Sequence, residues 1–162
     1  MAQNRAPAAY ATWRQRVLAT LTDAGLLLMV AVAVAIPVLA VPEPSVEIVI
    51  AVTTVVYLYW QFLNGSTGQS PGKSLVGLRV VSLRDDQPIG GWQGVARFGV
   101  AAVLAFFSCG LAALVDNLLP LRDGRRQTLH DKAVGSVVLA GQERRTLAEL
   151  LRPVTRLMRP GR

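Results

Sequence analysis

The stretch Ser66-Thr67-Gly68-Gln69-Ser70-Pro71-Gly72-Lys73-Ser74 ends in the Gly-Lys-Ser that closes a phosphate-binding loop. Such a loop needs a glycine five positions before the glycine of Gly-Lys, so that successive backbone N–H groups cradle phosphate oxygens. Thr67 occupies that position and Gly68 stands one residue out of register. A phosphate-binding loop also joins a buried strand to a helix, whereas this stretch follows an apolar run ending in Tyr57, Tyr59 and Trp60. It reads instead as a turn on the cytoplasmic side, with Pro71 reversing the chain and Lys73 facing headgroups or an acidic group. A lipid phosphate is the residual ligand reading.

The second candidate is Asp23, a carboxylate inside an apolar run, seven residues after Arg16. Seven residues put both side chains on one helix face, about 10.5 Å apart along the axis, too far for direct contact. A carboxylate in the apolar zone of a bilayer costs roughly 2.5–3.5 kcal/mol on insertion scales, which makes it a functional-site hypothesis by default. Asp23 is thus either a protonatable or ion-coordinating group, or a structural clamp for a cation from another segment. Arg97 and Lys132 are the candidate partners. Asp116, near the end of a later apolar run, reads as a solvated helix end, and Thr20 and Thr22 bond back to the preceding turn. Cys109 and His130 are the single cysteine and single histidine. Intrachain disulfides are therefore excluded, and neither a nucleophile-base pair nor a metal cluster is evident. No enzymatic activity and no cofactor are expected.

The elements that must position these groups are apolar. The 162 residues are 52% hydrophobic with mean hydropathy +0.40, yet hold 17 Lys+Arg against 10 Asp+Glu, a net charge of +7. Residues 17–41 carry one charge, Asp23; residues 46–63 carry only Glu47, in the first turn; residues 98–121 carry only Asp116. The first two are long enough for membrane-spanning helices, which need about 20 residues. A soluble bundle is disfavoured because residues 24–41 leave no polar face. A cleaved signal peptide is disfavoured by the length of the run and by Asp23 within it.

Arg5, Arg14 and Arg16 precede the first helix, and residues 42–45 between the helices carry no Lys or Arg. The positive-inside rule places the N-terminus in the cytoplasm of a multi-pass cell-membrane protein. Ten basic residues follow Leu121, so a single crossing by residues 98–121 would export most of the positive charge. Two short half-helices meeting at Ser108-Cys109-Gly110 and returning to the same face are preferred to a third span. Residues 75–83 and 135–140 read as short cytoplasmic strands. Leu147, Leu150, Leu151, Leu157 and Met158 on a basic background suggest an amphipathic tail against anionic headgroups. The fold class is thus all-α integral membrane, with two spans, a third apolar segment, short strands and that tail. Basic residues at membrane flanks account for the charge, so no nucleic-acid partner is expected.

Arg16 to Asp23 ("RVLATLTD"), "GKSLVGLRVV" and "LRDGRRQTLHDKAVGSVVL" resemble the three signatures of the RDD family of integral membrane proteins. The family is named for one arginine and two aspartates, which match Arg16, Asp23 and Asp131. The resemblance covers residues 10–142 and departs mildly at Gly135-Ser136, where the family often has Gly-Thr. The expected organisation is a cytoplasmic N-terminal arm (1–15), a membrane domain of this family (16–142) and a basic amphipathic tail (143–162). It raises Asp131, otherwise a solvated turn beside His130, to a site docked beneath Arg16 by a charge-assisted hydrogen bond. Lys73, Arg97, Asp116 and Lys132 are the possible further members of that network. Transport of unidentified ligands, including cation/proton exchange, has been proposed for the family, and in so short a chain it would require an oligomer. The expected function is an accessory or assembly subunit of a larger membrane complex; the alternative is an oligomeric transporter or cation/proton exchanger using Asp23.

Overall fold

A computed structural model describes residues 10–41, 45–146 and 149. Helix α1, Trp13–Leu39, starts at a capping box in which the Thr12 hydroxyl accepts from the Gln15 N–H and the Gln15 side chain accepts from the Thr12 N–H. That box satisfies two of the orphan donors of the first turn and moves the helix start upstream of the apolar run, to Trp13. Helix α2, Val46–Ser66, follows. At 1.5 Å per residue the two helices are about 40 and 31 Å long, each sufficient for a hydrocarbon core of about 30 Å. Leu28 (65% exposed), Met29 (68%) and Ile36 (67%) of α1 point away from the chain. Only 6% of the apolar window of each helix is buried, so these are not the core helices of a soluble bundle. Apolar area on that scale is stable only against another apolar phase or partner.

Residues 98–121 do not form one rod. Helix α4, Gly91–Phe107, stops at Ser108, and helix α5, Leu111–Leu118, continues into a single 3₁₀ turn at Leu119–Leu121. Cys109 (φ 50°) and Gly110 (φ 87°) take left-handed backbone between them, a conformation that ends helices. The Ser108 hydroxyl donates to the Leu104 carbonyl (2.6 Å) and accepts from the Ala112 N–H (2.8 Å), splinting both limbs. At the outer end of α4, the Gly90 N–H donates to the Gly65 carbonyl at the end of α2 (3.0 Å). Near the end of α5, the Asn117 carbonyl accepts from the Trp13 indole at the start of α1 (2.9 Å). Both limbs therefore meet the same end of the α1–α2 pair.

Beyond that end lies a compact layer. Helix α3, Pro71–Val76, leads to strand β1, Arg79–Ser82; helix α6, Leu129–Ala133, leads to strand β2, Ser136–Leu139. The strands pair antiparallel from Arg79↔Leu139 to Ser82↔Ser136. Ala11, Ala19, Leu78, Val80 and Val138, each at most 1% exposed, form the core beneath them. Ala11 is buried there and Tyr10 in a second cluster with Val81, Val137 and Leu139, so the end of the expected N-terminal arm is part of the fold. The expected turn at residues 66–74 contains α3, because Ser70 caps its N-terminus and Pro71 takes the first helical position, where no N–H is needed. Residues 75–78, read as strand, instead close α3 and pass through left-handed Gly77. Of the amphipathic tail expected at residues 143–162, only 143–146 and 149 are described, and its apolar residues Leu147, Leu150, Leu151, Leu157 and Met158 lie outside the described residues.

Helices α2 and α4 cross at Gly65 and Gly94. A Cβ on Gly94 would lie 2.6 Å from the Gly65 nitrogen and run into the Gln61 carbonyl, while one on Gly99 of the same helix would meet nothing within 4 Å. Gly94→Ala should therefore destabilise the protein by about 1–3 kcal/mol through overpacking. Gly99→Ala should be neutral or slightly stabilising, as read by unfolding curves in detergent.

Candidate functional site: a buried charge cluster at the end of the helices

Asp131 sits at the third position of α6, held by a second capping box with Thr128. This box fixes the backbone; the carboxylate then faces inward with no exposed surface. Arg16 Nη1 donates to Asp131 Oδ2 at 2.8 Å, Arg97 Nη2 pairs with Oδ1, and the Ser136 hydroxyl donates to Oδ1 at 3.2 Å. One carboxylate thereby joins α1, α4, α6 and β2. Burial disfavours its charge, but the adjacent Arg97 and Arg16 guanidiniums outweigh this and hold it well below the ordinary carboxylate range. Arg16 also donates to the Arg126 carbonyl (2.6 Å), and Arg126 to the Tyr10 carbonyl (2.8 Å), tying in the segment before α1.

Asp23 does not meet Arg97 or Lys132. Its two oxygens accept from the Ser70 hydroxyl (2.6 Å) and the Gly72 N–H (2.7 Å) at the start of α3. The approach is close enough that a Cβ on Gly72 would lie 2.9 Å from the Asp23 carboxyl carbon and run into the Ala19 carbonyl. Asp23 thus joins α1 to α3 through neutral donors, not through the basic residue that the clamp reading expected. Lys73 follows on α3 and donates to Asn64 Oδ1 of α2 (3.0 Å). Desolvation, followed by repulsion from Arg97, pulls the Lys73 ammonium down to about 8 despite the attraction of Asp23 and Asp131.

Asp116 is not a solvated helix end. It is 4% exposed and accepts from the Leu129 N–H, with its other oxygen against His130 Nδ1, so α5 is fastened to α6. Lys132 lies outside the cluster, with a 45% exposed side chain paired to Asp123 (2.6 Å). Ser70, Gly72, Asn64, His130 and Ser136 complete the cluster and were not singled out as its members. Only Ser70 carried a local signal, a hydroxyl directly before a proline. Among the described residues no three His, Cys, Asp or Glu side chains gather as a metal would require.

Beside the cluster, between α1, α2 and α4, lies a cavity of about 340 Å³ lined by Asp23, Asn64, Lys73 and Arg97 at one part and by Ala24, Leu27, Phe98 and Ala101 at another. The arrangement offers polar contacts and charge.

Removing one partner of a buried ion pair leaves uncompensated charge and costs about 3–5 kcal/mol. Asp131→Asn, which strands two guanidiniums, should fall in or above that range. In the wild type, this stabilisation should be complete above the unfolded carboxylate value of about 3.9 and be lost as pH falls below it. Melting curves in detergent between neutral pH and pH 3 check both. Lys73 gives the opposite window: the unfolded chain holds its proton up to about 10.5 and the folded one only to about 8. Stability should therefore rise between those values in the wild type, and lose that slope in Lys73→Met.

The RDD family profile matches residues 10–135, which include every member of the cluster but Ser136. The chain is 38% identical over 87 residues to the "Proline-rich antigen" of Mycobacterium leprae, covering 51% of this chain and 32% of that protein. It is 39% identical over 87 residues to the "Proline-rich antigen homolog" of Mycobacterium tuberculosis, covering 51% and 33%. It thus spans about a third of the length of these curated relatives. No solved structure matches. With its signature charges gathered at one end of two apolar helices and its profile matched over most of its length, the chain belongs to the RDD family of membrane proteins.

Proposed function

We propose that this protein is a non-catalytic accessory or assembly subunit of a larger membrane complex in the cell membrane, with its strand layer in the cytoplasm. The observation that supports this reading is that the signature charges are engaged within the chain. Arg16 and Asp131 bind each other, and both oxygens of Asp23 hold α3. A carboxylate that carries protons or cations through a membrane must exchange partners during the cycle, whereas this one fastens two elements. The positive-inside rule puts the basic strand layer in the cytoplasm.

In this reading α4 and α5 form a re-entrant hairpin. From the level of Arg97 to Phe107 is about 15 Å of helix, half of a hydrocarbon core of about 30 Å. Two spans and a half-depth hairpin do not enclose a pathway, while exposed apolar residues such as Leu28, Phe106 and Phe107 offer surface for lipid or a neighbouring subunit. The alternative, an oligomeric cation/proton exchanger, is favoured by the cavity beside Asp23. Lys73 and Arg97 on the same cavity oppose the entry of a cation.

Purification from native membranes in mild detergent should recover a stoichiometric partner protein; a lone, monodisperse monomer would count against the proposal. Everted vesicles containing the purified protein should show no cation-dependent pH change. A robust change abolished by Asp23→Asn would establish the exchanger instead. As a clamp, Asp23→Asn should lower stability by about 1.5–3 kcal/mol, the ordinary range for a hydrogen bond to a charged group, without altering ion flux.

A further inference from the structure

The cavity beside the cluster has a charge imbalance that the fold does not resolve. Arg97 is 5% exposed, and of its three guanidinium nitrogens only Nη2 reaches a carboxylate; Nε and Nη1 have no hydrogen-bond partner among the described residues. Lys73 Nζ, which can donate three hydrogen bonds, has the neutral Asn64 amide as its partner. Around the cavity, Lys73, Arg97 and His130 face one lining carboxylate, Asp23, while Arg16 and Arg97 share Asp131. Asp116 does not redress this, because its oxygens are engaged by the Leu129 N–H and His130. Buried donors without acceptors and a cation without a counter-ion are costly in a low-dielectric setting.

We infer that the cavity binds an anion, the phosphoryl group of a phosphate ester, held by Lys73 and Arg97. Guanidinium and ammonium groups together are suited to a phosphoryl group, the first through its planar fork and the second as a point charge. The volume of about 340 Å³ is at the small end for a ligand site, so it admits a headgroup-sized ester and not a whole lipid. Ala24, Leu27, Phe98 and Ala101 supply an apolar wall for the carbon portion of the ligand. Desolvation and the nearby Arg97 lower the basicity of Lys73, and a bound anion would offset both. This site does not use the glycine cradle of a nucleotide loop. Lys73 reaches the cavity from α3, and Arg97 comes from another helix. The inference does not rest on the accessory role proposed above.

The full chain in nonionic detergent can be titrated with three probes: short-chain phosphatidylglycerol, glycerol 1-phosphate and inorganic phosphate, with short-chain phosphatidylcholine as the net-neutral control. Thermal stabilisation and ³¹P line broadening are the readouts. Saturable stabilisation by phosphatidylglycerol alone establishes the site with a lipid source; equal stabilisation by the soluble phosphates establishes it with a soluble one. In either case Lys73→Gln, which keeps a hydrogen bond to Asn64, should weaken the effective probe at least tenfold. Arg97→Lys, which keeps a cation for Asp131, should do the same. If no probe stabilises the protein beyond the phosphatidylcholine control, or if Lys73→Gln responds like wild type, the inference is overturned. Should Arg97→Lys fail to fold, as judged by circular dichroism and gel filtration, Lys73→Gln decides the matter alone.

Discussion

The arrangement of this molecule depends on one buried carboxylate. Asp131 receives guanidinium groups from α1 and α4 while its own helix, α6, is anchored to α5 through Asp116. The attraction is strong because the site is dry: charges that would interact by about 1 kcal/mol in water at 4 Å interact several-fold more strongly where the effective dielectric is lower. The same dryness makes each ion expensive alone. Loss of any one partner is therefore costly, and the cluster sets where the ends of three helices meet.

Asp23 performs a parallel task with different chemistry. It accepts from an N–H and a hydroxyl and, among the described residues, forms no direct ion pair. That leaves Lys73, on the very helix it clamps, without a carboxylate of its own. The two carboxylates therefore divide the work. Asp131 balances charge and orders the helix ends, while Asp23 positions α3 and leaves Lys73 and Arg97 at the cavity.

Close backbone packing complements the charges. Gly65 and Gly94 let α2 and α4 approach until no Cβ would fit between them, which seats Arg97, three residues further along, at the depth of Asp131. The edge-to-face contact of Tyr57 and Phe98, with centroids 5.0 Å apart, continues the same interface. Beyond the helix ends, Leu78, Val80 and Val138 give the layer a small core of its own, so the strand pair does not depend on the membrane for burial.

Much of the frame was legible from sequence because hydropathy is local and additive. Runs of apolar residues identified α1 and α2, and the interruption at Ser108-Cys109-Gly110 is where α4 ends. Positive charge at the flanks indicated which ends belong together. The short helices α3 and α6 were harder, since their marks are single capping residues, Ser70 and Thr128. What only the tertiary structure decided is which charge meets which partner. Arg16 and Asp131 are 115 residues apart and came together through family resemblance, not spacing. Asp23 bonded to Ser70 and Gly72, Arg97 went to Asp131, and Lys132 went to Asp123. Composition ranks cations as natural partners for a buried acid, but a backbone N–H and a hydroxyl serve as well when the fold brings them within 3 Å. Their position depends on how distant segments pack, which no local pattern records.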